Sequence, residues 1–174
     1  SDLHFCPNGE RPGHLIFPVY QNGEQVYWTT RSIQQGPQKS WNPHNEEGFH
    51  TRQTCILNYD RCVGRSVVSV VEGPHDCMSA DGLGLMGKTM SVEQANLLAA
   101  LVPLGLQELV ILLDADAGAA IDKIRSALVN RIPKVSICFL GHGDPDERRD
   151  ELPELLEKRT TRPKLSDMIR ARLK

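Results

Sequence analysis

At 174 residues the chain is long enough for one fair-sized domain, or for a main domain with a smaller appendage. A formal net charge of −2 excludes a protein that binds nucleic acid through overall positive charge, so any nucleic acid must meet a local basic patch. No apolar run approaches the length of a membrane span and no basic-then-apolar signal segment opens the chain, which predicts a cytoplasmic protein with no membrane partner.

The five cysteines (Cys6, Cys55, Cys62, Cys77 and Cys138) are scattered and odd in number, and none forms a Cys-x-x-Cys pair. They read as reduced thiols rather than a zinc knuckle. The chain starts on Ser1-Asp2 rather than Met and reads as an excised or processed piece. Residues 1–13 lack periodicity and read as a leader, in which His4 and Cys6 give a faint hint of a metal site. Residues 15–20 are β-prone, Asn22-Gly23 is the strongest short hairpin signal, and residues 25–31 supply the returning strand. Residues 32–53 are polar and hold Lys39, Trp41 and Arg52, with Arg31 just before them. Basic side chains beside an aromatic suit a nucleic-acid strand, through phosphate contact and base stacking. On spacing alone, a solvated loop with Trp41 packed back on the sheet is favoured over that reading.

Residues 55–59 read as a short strand or turn. Residues 67–71, dense in Val, predict a buried strand that ends in Glu72-Gly73. Pro74 opens a short helix through Ala80, and residues 83–86 suit a second short strand. Ser91 with Gln94 predicts a capping box on a helix whose stripe is Leu97, Leu98, Leu101 and Val102. Residues 109–113 form the next buried strand, ending in Asp114-Ala115-Asp116. A helix follows over 118–131, then a strand over 135–140 that leads to Asp144 and Asp146. Helices over 151–159 and 165–173 close the chain, the last one basic with Arg170, Arg172 and Lys174. Alternating strands and helices argue a mostly parallel sheet with both faces covered.

Acids therefore follow three successive apolar strands: Glu72 with Asp76, Asp114 with Asp116, and Asp144 with Asp146. Any one of them alone reads as a cap or a turn residue. Paired carboxylates at strand ends repel and take up protons unless a cation joins them. Mg²⁺, or Mn²⁺ in its place, suits such an oxygen-rich site and acts on phosphates. Gly73 leaves room for a phosphate or sugar, and Gly118 permits a tight entry into its helix.

Residues 68–73 (VSVVEG), 109–116 (LVILLDAD) and 143–147 (GDPDE) resemble, in this order and spacing, the Toprim domain of bacterial-type primases, topoisomerases and certain nucleases. Residues 15–20 (LIFPVY), Arg31, 38–43 (QKSWNP), 56–61 (ILNYDR) and 87–98 (GKTMSVEQANLL) are similar to primase segments before and within Toprim. The resemblance covers residues 13–147 and selects the catalytic core of a DNA primase, of a compact phage or plasmid kind. It implies an α/β Toprim fold, a Rossmann-like sheet with helices on both faces, preceded by a small β-rich subdomain. Its boundaries would be a leader at 1–13, the subdomain at 14–65, Toprim at 66–147 and a helical extension at 148–174.

It further implies Glu72, Asp114 and Asp116 as catalytic residues, with Asp76, Asp144 and Asp146 joining them as metal ligands. Arg31 and Lys39 match basic residues used on template or nucleotide, which turns the reading of the 32–53 loop towards binding; Trp41 and Lys88 complete the expected nucleic-acid and nucleotide contacts. The implied partners are single-stranded DNA, ribonucleoside triphosphates, and a replicative helicase or a separate zinc-binding domain. The chain departs from the family in a short segment between Glu72 and Gly87, in a loop after Asp114 one residue short, and in carrying no phosphate-loop motif of a helicase motor. A Toprim nuclease, with water as attacker, and a non-catalytic DNA- or helicase-binding Toprim module are the alternatives. The primase-like N-terminal segment argues against the first and the retained acids against the second. The size of the chain argues against a topoisomerase.

Overall fold

The computed structural model describes residues 3–9, 12–34, 39–43, 50–114 and 116–162. The helix expected over 165–173 lies outside them. The N-terminal part is an antiparallel sheet of β1 (His4–Cys6), β2 (His14–Gln21) and β3 (Glu24–Ser32), in the order β1-β2-β3. Asn22 and Gly23 join β2 to β3 with φ of 57° and 82°, the left-handed pair that a tight hairpin demands. Both of their N–H groups donate to the Asp60 carboxylate at 2.8 Å, which pins the turn to α1 (Tyr59–Cys62). Residues 4–6 of the expected leader are thus a strand, held by pairing with residues 14–16 of β2. Three residues are too few to show alternation, so only the partner reveals them.

The second sheet is parallel and runs β5-β4-β6-β7, with β4 at Val67–Val71, β5 at Leu83–Gly84, β6 at Glu108–Ile111 and β7 at Lys134–Ile137. Between these strands run α2 (Pro74–Ser79), α3 (Val92–Ala100) and α4 (Gly118–Leu128), while α5 (Leu152–Glu157) follows a 3-10 turn at Arg149–Glu151. Alternation along each strand sends neighbours to opposite faces. Val68, Val70, Leu109 and Ile111 pack with Leu98 of α3 and with Ile121, Ile124 and Leu128 of α4. Val71, Val110 and Leu112 pack instead with Phe17 and Val19 of β2, Cys77 of α2 and Leu152 of α5. The antiparallel sheet therefore covers one face of the parallel one, beside α2 and α5.

The expected capping box of α3 is present: Ser91 Oγ accepts the Gln94 N–H at 2.9 Å, and Gln94 Oε1 accepts the Ser91 N–H at 3.1 Å. Such a cap contributes about 1 kcal/mol. Gln94 is also fully buried, and its Nε2 donates to the carbonyls of Arg52, Cys55 and Leu85 at 2.9, 3.0 and 3.0 Å. One side chain thereby joins α3 to the segment entering the parallel sheet. At the other end of that sheet, buried Glu108 gathers Arg159 (2.8 Å), Lys134 (3.0 Å) and Ser136 (2.6 Å), which draws the chain after α5 onto β6 and β7. These donors hold its carboxyl low, at about 2.

Candidate metal and phosphate site

Strand order decides where a ligand can enter. From β4 the chain moves outward to β5, whereas from β6 it moves the opposite way to β7. The crevice between β4 and β6 is thus a switch point, and ligands of open α/β sheets bind there, outside the carboxyl ends of the strands. Glu72 directly follows β4, and Asp114 lies three residues past β6.

Both acids are half-buried there, and Glu72 Oε2 and Asp114 Oδ1 are buried oxygens with no hydrogen-bond partner. Burial, reinforced by neighbouring carboxylates, pushes each of the two up to about 6. Lone pairs left unmatched at a site of accumulated negative charge are what a hard divalent cation would satisfy. The residues therefore fit such an ion. Among the described residues, however, no group of three or more His, Cys, Asp or Glu side chains is arranged to hold a metal as it stands.

The other acids are engaged. Asp116 accepts both contacts of Lys88 Nζ, at 3.0 and 3.2 Å. Asp76 is buried at the third position of α2, where Oδ2 accepts the Gly73 N–H at 2.9 Å and the carboxylate also takes the Asp146 N–H. Asp146 accepts from Ser79 of α2 and from Arg149, which hold its carboxyl below the usual range. Asp144 Oδ1 accepts the Glu147 N–H at 2.8 Å. The sequence groups all six acids, whereas the structure leaves unmatched oxygens on Glu72 and Asp114.

Gly73 has little room for a side chain. A Cβ there would lie 3.0 Å from Asp76 Oδ2 and 3.4 Å from Arg31 Nη2. The second figure also places Arg31: it pairs across the hairpin with Leu15, whose side chain packs on the core between the sheets, and it reaches the Glu72-Gly73 turn. Lys39 and Trp41 border the outer edge of β3, where the Lys39 carbonyl accepts the Ser32 N–H at 2.9 Å and the Trp41 carbonyl the Thr30 N–H at 3.0 Å. Their backbones are used as strand edge, and Lys39 is exposed.

Arg52 is absent from the expected site residues, yet its Nη1 lies 4.0 Å from where a Gly87 Cβ would be. Gly87 in turn donates its N–H to the Glu72 carbonyl at 3.2 Å. The basic loop around Trp41 was the available signal for Arg52. A cavity of about 460 Å³ lined by Phe17, Tyr20, Leu57, Pro74 and Met78 sits on the opposite face of α2 and includes none of these carboxylates.

No protein-family model and no curated protein matches the sequence. Solved structures do match the fold. A DnaG catalytic core superposes with a TM-score of 0.72 at 16% identity, over 87% of this chain and 54% of that one. A DnaG primase catalytic domain bound to single-stranded DNA gives 0.67 at 16%, over 91% and 58%. The primase fragment of the bacteriophage T7 primase-helicase gives 0.58 at 14%, over 83% and 62%. The chain spans between half and two thirds of the length of these structures. Its fold is that of the bacterial DnaG-type primase catalytic core, a Toprim-like parallel sheet preceded by an antiparallel, β-rich N-terminal part.

Proposed function

We propose that this chain is the catalytic core of a DNA primase, which joins ribonucleotides on a single-stranded DNA template into a short RNA. The observation that carries this reading is the pair of buried, unmatched carboxylate oxygens on Glu72 and Asp114 at the switch point. Arg31 of the preceding sheet stands against the same turn. In the reaction the 3′-hydroxyl of the growing strand attacks the α-phosphate of the incoming nucleoside triphosphate and releases pyrophosphate.

Glu72, Asp114 and, once released by Lys88, Asp116 would hold Mg²⁺ or Mn²⁺. Such an ion neutralises the triphosphate and makes the attacking hydroxyl more acidic. Asp76 and Asp146, tied to the Gly73 turn and to α2, hold the acidic loops in place, and Asp144 lies beside them. Arg31, Arg52 and Lys88 supply positive charge for triphosphate or template, and Lys39 and Trp41 extend that surface along β3. We take the N-terminal unit to include β1 and to run to residue 65, with Toprim at 66–147 and a C-terminal extension beyond. Single-stranded DNA and ribonucleoside triphosphates are the proposed ligands, and a replicative helicase or a separate zinc-binding domain the proposed partner. Among the described residues no helix is long and apolar enough to cross a membrane.

The test is to incubate the chain with single-stranded DNA, labelled ribonucleotides and Mg²⁺ or Mn²⁺, with and without a helicase. Metal-dependent oligoribonucleotides that disappear in Asp114→Ala are the expected result. Degradation of the template would assign a nuclease instead, and the absence of any metal-dependent change would assign a binding module.

A further inference from the structure

Lys88 stands where the charge of a metal would otherwise be needed. It follows Gly87, whose N–H is bound to the Glu72 carbonyl at 3.2 Å, so its backbone is fixed at the end of β4. Its ammonium reaches across the crevice to both oxygens of Asp116, at 3.0 and 3.2 Å. Glu72 and Asp114 also lie within its electrostatic reach. Three carboxylates thus share one internal cation, and two of them still have buried oxygens without partners. Both members of the Lys88–Asp116 pair are about half exposed, at 48% and 54%. Pairs so exposed are weak and exchange readily.

We infer that Lys88 is a built-in counter-cation that holds Asp116 out of the metal site, releases it when a divalent cation is bound, and is thereby freed to meet the triphosphate. This rests on the primase reading and adds an order of events to it. Without metal, Lys88 limits the repulsion among Glu72, Asp114 and Asp116 and keeps the third carboxylate from converging, in accord with the lack of a ready-made metal group among the described residues. When the cation is held by the carboxylates, the ammonium becomes a like charge beside it and swings towards solvent. The β5–α3 loop that bears it stays tied to β4, so the freed ammonium remains at the rim where a phosphate would arrive. Metal loading and cation delivery would then be one exchange.

An ammonium and a dication about 6 Å apart in a water-like dielectric repel enough to weaken binding about ten-fold. The test measures Mn²⁺ binding to the whole chain by the loss of free-ion paramagnetic resonance signal. Lys88→Met is expected to bind Mn²⁺ about ten-fold more tightly than the parent. Lys88→Arg keeps the charge and should stay within about two-fold, as should Lys123→Met on the exposed face of α4, which controls for net charge. With Mn²⁺ saturating, a non-hydrolysable ribonucleoside triphosphate should bind Lys88→Met more weakly than the parent. Unchanged or weaker Mn²⁺ binding by Lys88→Met, with the parent site intact and lost in Asp114→Asn, overturns the role of Lys88 alone. A parent chain that binds no Mn²⁺, or an Asp114→Asn variant that binds it equally, overturns the metal-site reading as well.

Discussion

Replacing Asp114 by Asn should make the metal-free protein more stable while abolishing its response to metal. Asp114 is half-buried, one oxygen has no partner, and burial among neighbouring carboxylates lifts it from an ordinary 3.8 to about 6. Such a lift corresponds to roughly 3 kcal/mol against the ionised form at neutral pH. An amide of the same shape carries no charge and can donate a hydrogen bond to the nearby carboxylates. Relaxation and charge sharing with Glu72 reduce the gain to about 1–3 kcal/mol at pH 7.5, a rise of roughly 2–10 °C in Tm for a chain of this size.

The sign of the pH dependence follows from the direction of the shift. The unfolded chain ionises Asp114 near 4 and the folded one only near 6, so the wild type loses stability as pH rises between those values. Glu72, also lifted to about 6, acts in the same direction. Asp114→Asn should show a smaller decline across that window, because Asp114 no longer ionises while Glu72 and Asp76, both raised by burial, still do. Mg²⁺ should restore wild-type stability in proportion to its binding and leave the variant unmoved. Differential scanning fluorimetry from pH 4 to pH 8, with chelator and with Mg²⁺, reads all of this. A variant less stable than wild type at pH 7.5, or one that still gains from Mg²⁺, would refute the argument.

Other substitutions should act with different signs. Asp146→Asn loosens the acceptor of Ser79 and Arg149 and should cost about 1–2 kcal/mol in urea denaturation. Because the Asp146 carboxyl lies below its ordinary value, that difference should shrink as pH falls below about 4. Glu108→Ala leaves Arg159 and Lys134 without their shared buried acceptor and should cost about 3 kcal/mol, with the wild-type stability from this group declining as pH falls below about 4.5 and gone once it reaches about 2. Gly73→Ala forces a methyl to within 3.0 Å of Asp76 Oδ2 and 3.4 Å of Arg31 Nη2, so the primer synthesis proposed for this chain should fall at least about ten-fold while Tm drops only a few degrees.

Local chemistry made much of the frame legible. Asn22-Gly23 needs left-handed backbone and has it; Ser91 and Gln94 stand at capping-box spacing and cap α3; Val67–Val71 is a central strand of the parallel sheet. Each is decided by residues within a few positions of one another. What the sequence did not disclose depends on partners far along the chain. β1 exists because β2 pairs with it, and the Asp60 carboxylate holds a turn nearly forty residues earlier. Lys88 finds Asp116, 28 positions on. Arg52 lies against Gly87 from a segment whose carbonyl Gln94 of α3 holds, 42 positions along the chain. Periodicity carries no record of such meetings, since a solvated loop and a site-forming loop have the same polar composition.

The same limit explains why six acids that look alike in sequence are not alike in the fold. A carboxylate whose oxygens already accept hydrogen bonds from several groups within the chain is satisfied in the absence of any ligand, and its charge serves geometry. Asp76 and Asp146 are of that kind: the first joins the Gly73 turn to the loop after β7, the second joins that loop to α2. A carboxylate with a buried, unmatched oxygen is instead a cost to folding, tolerable where something outside the chain repays it. Glu72 and Asp114 are of this second kind, and they flank the crevice where the sheet reverses its order. Asp116 lies between the two classes, satisfied by one exposed lysine from across the crevice. Its partner is exposed and of the same sign as a metal ion, so its allegiance can change without disturbing the fold.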